Sequence, residues 1–314
     1  MTGDVLVLRA LGVGDLLVTV PALRGLRAAF PDARITLAAP AALDELAALT
    51  GAVDRVLPTP GLGALRWTGA PPAVAVNLHG SGPESVTDLL GTRPGRLLSH
   101  RHPDFPDLDG PEWREDQHEV LRWCRMLACH GIAADRHDLA LARPDVPSPA
   151  GDAIVVHPGA AFGSRRWPPG RFAEVAREFA RAGSRVVVTG SAAERDLAGR
   201  VAAAAGLGED AVLAGRTSLT ELAALVSGAR LVISGDTGVA HLATAYRTPS
   251  VLLFGPTPPW RWGPPPGTGD RHVVLWAGEA GDPFADAPAP GLLRITVDEV
   301  VAAGRSALRP VVGA

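Results

Sequence analysis

Short runs of consecutive apolar residues alternate with longer amphipathic segments along the chain, and this alternation limits the folds that it can adopt. Strands that are apolar on both faces belong in parallel sheets covered by helices. The predicted strands are residues 5–8, 35–38, 55–57, 73–76, 154–156, 186–188, 211–213, 231–233 and 251–254. Helices are predicted over residues 16–30 and 42–50, and Phe172 and Phe179 bound a further apolar helical stripe. We therefore predict an α/β fold of doubly wound, Rossmann-like sheets.

The length of 314 residues predicts two domains, each large enough for its own core. Residues 143–151 are rich in proline and glycine and are predicted to link them. The expected units are an N-terminal domain over residues 1–145, a C-terminal domain over 151–296, and a final helix over 297–314 that can pack back on the N-terminal domain. Two such domains facing each other would bring the carboxyl ends of both sheets to a central cleft.

Charge and cysteine content exclude several classes of function. The chain has 30 basic and 33 acidic residues, a net charge of −3 and no long run of one sign, so we expect no nucleic-acid partner and at most peripheral membrane contact. All of the basic residues are arginine, so a phosphate site must use guanidinium groups. The two cysteines, Cys124 and Cys129, exclude a disulfide framework, and their spacing fits no usual zinc pattern. No apolar stretch approaches 20 residues, and a cytoplasmic protein without a metal site is expected.

The first predicted strand runs into a glycine-bearing turn that contains Gly12, Gly14 and Asp15. Leu17 stands where a dinucleotide-binding fingerprint would need its third glycine, which argues against an NAD enzyme. A carboxylate at the head of a helix is ionised and can act as a general base, although Asp15 could equally be only a helix cap. Pro21 should kink the predicted helix or mark its true start behind residue 19.

Three turns of the second half also follow strands. Residues 157–168 form a loop of small residues with Arg165 and Arg166, which suits a diphosphate unless both are ordinary surface arginines. Residues 189–194 could bring Glu194 near a ribose, but Glu is also common in first helical turns. The turn at residues 234–241 has the outline of an anion site, with unpaired N–H groups at a helix start, and its Asp236 and His241 could also be a cap and a packed histidine.

Four motifs in this order resemble glycosyltransferase family 9, the heptosyltransferases, over about residues 5–263. They are Gly14-Asp15-Leu16-Leu17 with Pro21-Ala22-Leu23-Arg24, His157-Pro158-Gly159 through Arg166-Trp167-Pro168, Asp236-Thr237-Gly238 with His241, and Phe254-Gly255-Pro256-Thr257. The resemblance implies a bacterial enzyme of the GT-B fold that transfers a sugar with inversion and without a metal or other cofactor. An ADP-activated heptose is the typical donor of the family.

The resemblance also implies roles for single residues. Asp15 matches the family's catalytic base, and Arg165 stands where the family usually has a lysine on the donor phosphates. Asp236 would face the sugar, with the amides of Thr237 and Gly238 toward phosphate. The candidate donor-binding residues are Ser164, Arg165, Arg166, Glu194, Thr217, Asp236, Thr237, Gly238 and His241. Ala160 and Ala161 depart from the hydroxyl residues of some members, and the family's frequent late cysteines are missing.

The acceptor side is less defined. Gly14, His79 and Ser81 are the acceptor-side candidates, the last two because residues 77–82 resemble a family loop that faces the cleft. His118 is interpreted as structural. The expected partners are a nucleotide-sugar donor and a glycan, glycolipid or small-molecule acceptor, bound by a monomer. A nucleotide-sugar epimerase of the same architecture and a non-catalytic nucleotide-sugar-binding protein are the alternative functions.

Overall fold

A computed structural model describes residues 3–268 and 271–309 of the chain. These residues form two compact units that divide between Ala142 and Arg143, at the start of the proline-rich segment 143–151. Each unit contains one five-stranded sheet with helices packed against it. No helix within the described ranges is long and apolar enough to cross a membrane.

The first unit contains a parallel sheet in the order β3-β2-β1-β4-β5. Its strands are β1 (Val5–Leu8), β2 (Ile35–Ala39), β3 (Arg55–Pro58), β4 (Val74–Asn77) and β5 (Arg96–Leu98). Its helices are α1 (Val13–Leu17), α2 (Val20–Ala29), α3 (Asp44–Ala48), α4 (Pro83–Leu90) and α5 (Glu119–Cys129). The central strand β1 is buried along its whole length, as its unbroken apolar run predicts.

The second unit contains a parallel sheet in the order β10-β9-β8-β6-β7. Its strands are β6 (Ile154–His157), β7 (Val186–Val188), β8 (Leu231–Gly235), β9 (Ser250–Phe254) and β10 (His272–Trp276). Its helices are α6 (Pro169–Arg181), α7 (Arg195–Ala205), α8 (Leu219–Ser227), α9 (Gly238–Ala245), α10 (Pro259–Trp262), α11 (Pro290–Arg294) and α12 (Val297–Ala307). Three 3₁₀ turns, Gly163–Arg165, Ala192–Glu194 and Glu209–Ala211, precede or interrupt these elements.

The strand predicted at residues 211–213 is reduced to a single parallel bridge between Val188 and Val212. The preceding 3₁₀ turn explains this difference, because it engages the N–H groups of Ala211 and Val212 and leaves Leu213 to donate to Val188. When this bridge is counted as a short strand, both sheets have the strand order third, second, first, fourth, fifth, and the second sheet adds β10 as a sixth strand.

The helix predicted over residues 16–30 is two helices that meet at residues 18–19. Thr19 occupies the N-cap position of α2, and its hydroxyl donates back to the Leu16 carbonyl of α1 at 2.7 Å. Pro21 lies in the first turn of α2. Pro21 therefore marks a helix start rather than a kink, since a proline is tolerated where no intrahelical N–H bond is lost.

The final helix α12 packs against α6 and the strands β8 to β10 of the second unit. Its Gly304 lies so close to Phe179 that a Cβ there would be 2.6 Å from the ring. The apolar face of α12 completes the buried core formed by β6, β8 and α6.

Candidate active site

Asp15 lies after β1 in the first turn of α1, at the carboxyl edge of the first sheet. Neighbouring strands β1 and β4 connect in opposite directions there, which is where doubly wound sheets bind ligands. Oδ2 of Asp15 accepts from the Gly12 amide at 3.3 Å, so the carboxylate does cap the helix. Its side chain nevertheless remains 29% exposed and can still reach a ligand.

Arg9, directly after β1, fixes the Asp15 carboxylate. Its guanidinium is 1% exposed, and Nη2 lies 3.0 Å from Oδ1 of Asp15 while Nε donates to the Asp15 carbonyl at 3.0 Å. Nη1 donates to the carbonyl of Leu78 at 2.5 Å, next to the end of β4. The planar fork therefore ties the turn after β1 to the turn after β4.

Glu119 supplies the second carboxylate of this network from the start of α5. Its Oε1 lies 3.4 Å from Nη2 of Arg9 and accepts from the indole of Trp123 at 3.0 Å. Its Oε2 accepts from Arg122 at 2.9 Å. Sequence reasoning missed Arg9 and Glu119, although an arginine that ends an unbroken apolar strand was a usable signal. His118 caps α5 by accepting from the Val120 amide, a structural role as predicted.

His79 lies after β4 beside this network. Its Nδ1 accepts from the Ala10 amide at 3.2 Å, so in the neutral ring the proton is on Nε2. Burial and then the nearby Arg9 charge lower the pKa of His79. Of the other acceptor-side candidates, Gly14 lies within α1 and Ser81 is exposed ahead of α4.

The turns after β6 and β8 meet at the carboxyl edge of the second sheet. A Cβ on Gly235 would be 2.9 Å from the Arg165 carbonyl, and a Cβ on Gly255 would be 3.1 Å from the Ser164 carbonyl. Three buried polar atoms of these turns have no hydrogen-bond partner: Oγ of Ser164, Nε of Arg165 and Oγ1 of Thr237. Because buried donors are normally paired, their convergence at a strand edge indicates a place for a ligand rich in acceptor oxygens.

The two arginines of the first turn differ. Arg166 donates through Nε and Nη2 to the Ala160 carbonyl at 2.8 and 2.7 Å, which holds the glycine-bearing loop closed. Arg165 is half-buried with its guanidinium 5.7 Å from the Phe162 ring. Of the two, Arg165 is therefore the better placed to grip an anion.

Glu194 closes the turn after β7. Its Oε2 accepts from the amide and hydroxyl of Ser191 at 2.8 and 2.9 Å, and a side chain on Gly159 would clash with its carboxylate. Burial acts to raise the pKa of Glu194, but the Ser191 bonds and the charges of His157 and Arg166 outweigh it and lower the pKa. Glu194 thus acts as a helix cap, and its carboxylate also packs on the loop after β6 at Gly159.

His157 and Thr217 complete this edge. Nδ1 of His157 contacts the Thr189 hydroxyl at 3.0 Å, and burial lowers the pKa of this histidine. Thr217 is half-buried in the loop before α8.

The turn after β8 carries the remaining candidates. Asp236 is buried at 6% exposure, Thr237 occupies the N-cap position of α9 without a side-chain capping bond, and Gly238 is the first residue of the helix. His241, on the second turn of α9, packs edge-on against Trp262 with 6.0 Å between the rings. In the described part of the chain, no three His, Cys, Asp or Glu residues cluster as a metal site would require.

Comparison with known proteins identifies relatives of this architecture. The family model of glycosyltransferase family 9 (heptosyltransferase) matches residues 118–284. Lipopolysaccharide heptosyltransferase 1 of Pseudomonas aeruginosa is 40% identical over 126 residues, which are 40% of this chain and 33% of that protein. Lipopolysaccharide heptosyltransferase 2 of Salmonella typhimurium is 26% identical over 295 residues, covering 81% of this chain and 83% of that one. The solved structure of the E. coli ADP-heptose LPS heptosyltransferase II superposes with a TM-score of 0.75 at 21% identity, covering 97% and 98% of the two chains.

Proposed function

The chain belongs to glycosyltransferase family 9 and is a glycosyltransferase, and from this premise we propose that it moves a heptose from ADP-heptose to an acceptor hydroxyl. The acceptor is a glycan, a glycolipid or a small molecule, and the transfer inverts the anomeric centre without a metal ion. The observation that carries the proposal is the convergence of unpartnered donors from Ser164, Arg165 and Thr237 at the carboxyl edge of the second sheet.

The second unit binds the donor in this proposal. The Arg165 guanidinium grips the diphosphate, and the hydroxyls of Ser164 and Thr237 donate to its oxygens together with the Thr237 and Gly238 amides at the start of α9. These bonds strengthen as ADP leaves, because negative charge then develops on the phosphate oxygens. The buried Asp236 and the ring of His241 are assigned to the heptose hydroxyls.

The first unit supplies the base. Asp15 accepts the proton of the acceptor hydroxyl as that oxygen attacks the anomeric carbon from the face opposite ADP, so one displacement inverts the centre. Arg9 directs Oδ1, and the Gly12 amide directs Oδ2. His79 and Ser81 are assigned to the acceptor.

The test is a transfer assay with ADP-heptose and a panel of glycan acceptors, following ADP release and the anomeric configuration of the product. We expect Asp15→Asn to lower turnover by about 10² to 10⁴ and to keep ADP affinity, since a positioned base contributes about that much. Asp44→Asn is the matched control, because Asp44 also lies in the first turn of a helix after a strand. Near wild-type transfer by Asp15→Asn would refute its role.

The same assay separates the alternative functions. An epimerase would isomerise the donor without any acceptor, and a binding protein would bind ADP-heptose without consuming it. Transfer should persist in EDTA; a loss that a divalent cation restores would contradict metal independence.

Arg165→Ala should weaken ADP binding and turnover together, because the same contact serves the ground state and the leaving group. Arg181→Ala, an exposed arginine at the end of α6, is its control. Unchanged ADP affinity in Arg165→Ala would contradict the donor-site assignment.

A further inference from the structure

A second candidate site lies in the first unit, in the segment of residues 99–118 between β5 and α5. The segment leaves the carboxyl end of β5, so it begins at the same sheet edge as the turns that carry Asp15 and His79. Its first residue is fixed there, since the Ser99 hydroxyl lies 3.1 Å from the Asn77 side-chain amide at the end of β4. Gly110 then returns to pack directly on the Ser99 carbonyl, where a side chain would clash.

The returning segment lines an open pocket of about 710 Å³, here called the 101–113 pocket. Its wall contains two half-buried aromatic rings, Trp113 and Phe105, and the exposed carboxylates of Asp107 and Asp109. The volume lies within the ordinary range for small-molecule sites. Aromatic faces beside carboxylate acceptors suit a sugar ring, whose C–H face is apolar and whose hydroxyls donate hydrogen bonds.

The pocket wall is connected to the base by contacts within the unit. The Trp113 ring lies 3.8 Å from the Arg122 guanidinium, and Arg122 pairs with Glu119. Glu119 contacts Arg9, which holds Asp15. A ligand stacked on Trp113 therefore contacts the outer end of the network that orients the Asp15 carboxylate.

Charge selects the class of ligand. Residues 101–117 contain six carboxylates and two arginines, although the whole chain has a net charge of only −3. One of these arginines, Arg101, is paired with Glu112. Asp107 and Asp109 remain on the wall, so a phosphorylated or carboxylated sugar would meet like charge there.

We propose that the 101–113 pocket is the acceptor subsite and that it takes a sugar that is neutral or carries an amino group. The inference rests on the proposed function, because only a glycosyltransferase needs an acceptor at this edge. Trp113 stacks on the acceptor ring, and Asp107 and Asp109 accept its hydroxyl or ammonium hydrogens.

The test uses saturation-transfer NMR to measure how the full chain binds three sugars: glucosamine, glucose and glucuronic acid, each at millimolar concentration. We expect glucosamine and glucose to bind and glucuronic acid to bind least. Its affinity should be lower by roughly threefold for each of the two carboxylates, Asp107 and Asp109. Trp113→Ala should abolish binding of all three sugars, whereas Trp113→Phe should retain it, because a ring still offers an apolar face.

The matched charge test compares two double variants. Asp107→Asn with Asp109→Asn should raise the relative binding of glucuronic acid about tenfold. The control, Asp104→Asn with Asp116→Asn, removes the same charge from residues of the segment that do not line the pocket. It should change the binding of glucuronic acid relative to glucose little.

Three outcomes would overturn the inference: no saturation of any of the sugars, a preference for glucuronic acid, or equal binding by Trp113→Ala. Thermal stabilisation by ADP is measured in parallel on every variant. If the wild type binds no sugar but is stabilised by ADP, the subsite alone is refuted. If ADP does not stabilise the wild type, the proposed function is refuted.

Discussion

The planar shape of the Arg9 guanidinium matters as much as its charge. One buried guanidinium contacts Asp15, Glu119 and the carbonyl of Leu78 at the same time. A lysine would keep the charge but not the fork, so it could not satisfy these partners together. In the proposed mechanism, Arg9 is a positioning residue that acts on the reaction through Asp15.

We expect Arg9→Lys to lower kcat by roughly 10- to 100-fold while KM for ADP-heptose changes little, because the base is misdirected and the donor site is untouched. Steady-state kinetics with varied donor measures both constants. The control is Arg55→Lys on β3, whose guanidinium bonds the Thr36 hydroxyl and stacks on Trp67. A rise in donor KM with unchanged kcat in Arg9→Lys would contradict the positioning role.

His100 gives the first unit a dependence on pH. It is 3% exposed between Trp113 and Trp123, and neither ring nitrogen has a hydrogen-bond partner. Burial, followed by the charges of Arg125 and Arg122, lowers its pKa to about 3. The folded state therefore keeps this ring neutral while the unfolded chain takes up a proton below pH 6.5, so unfolding becomes easier as pH falls from 6.5 toward 3.

We expect this single group to lower the free energy of unfolding by about 2 kcal/mol between pH 6.5 and 5. His100→Phe should remove that part of the pH dependence and lose no hydrogen bond at pH 7. Urea unfolding followed by tryptophan fluorescence at the two pH values measures it, with the exposed His137→Phe as control. An unchanged difference in His100→Phe would show that the dependence has another source.

The candidate site was predictable only where its signal is local. The turn that contains Asp15 and the turn after β8 each follow an apolar strand, so strand and glycine patterns reveal them. Arg9 and Glu119 are 110 positions apart, and no local pattern predicts that they pair. No local pattern predicts the contact of Trp113 with Arg122 either, because the chain brings these residues together only when it folds.

At the scale of elements, two helical glycines should respond oppositely to alanine. In α2 a Cβ on Gly25 would be 2.6 Å from the Ala133 carbonyl oxygen, so backbone must move. In α7 nothing lies within 4 Å of the corresponding position at Gly199. Gly25 therefore lies in a close contact between two segments, whereas a side chain at Gly199 would meet no neighbouring atoms.

We expect Gly25→Ala to destabilise the protein by about 1 to 3 kcal/mol, as overpacking does. Gly199→Ala should instead stabilise it by about 0.5 to 1 kcal/mol, through the higher helix propensity of alanine. Thermal unfolding of both variants measures the two effects. Stabilisation by Gly25→Ala would mean that α2 can move away from Ala133.

Strand prediction succeeded for the six inner strands and for the edge strands β3 and β7, and it failed for the edge strands β5 and β10. The inner strands β1, β2, β4, β6, β8 and β9 are all fully buried and mostly apolar, and each was predicted to within about two residues at either end. The edge strands β5 and β10 were missed, since the first is only three residues long and the second is partly exposed along its length. Strands that are as short as β5 or as exposed as β10 carry a weaker pattern, because fewer of their side chains are buried.

For the whole molecule, the two units have separate sheets and separate apolar cores. A ligand that binds only one unit should therefore protect that unit selectively. At about 100 times its dissociation constant, ADP contributes roughly 2.7 kcal/mol.

We expect saturating ADP to slow amide hydrogen exchange about 100-fold in β6, β8 and α9, for amides that exchange by unfolding of the second unit. Exchange in β1 and β2 should change little. Mass spectrometry of peptides from both sheets measures this, and UDP and GDP serve as controls for the base. Equal protection of both sheets would show that the units unfold as one.

Counting the Val188–Val212 bridge, the first five strands of each sheet have the same order, yet their equivalent first turns have opposite chemistry. The turn after β1 presents the carboxylate of Asp15, and the turn after β6 presents the guanidinium of Arg165. In the proposed function, insertion or recombination within residues 99–118 would change the acceptor while the donor-binding turns of the second unit kept their sequence.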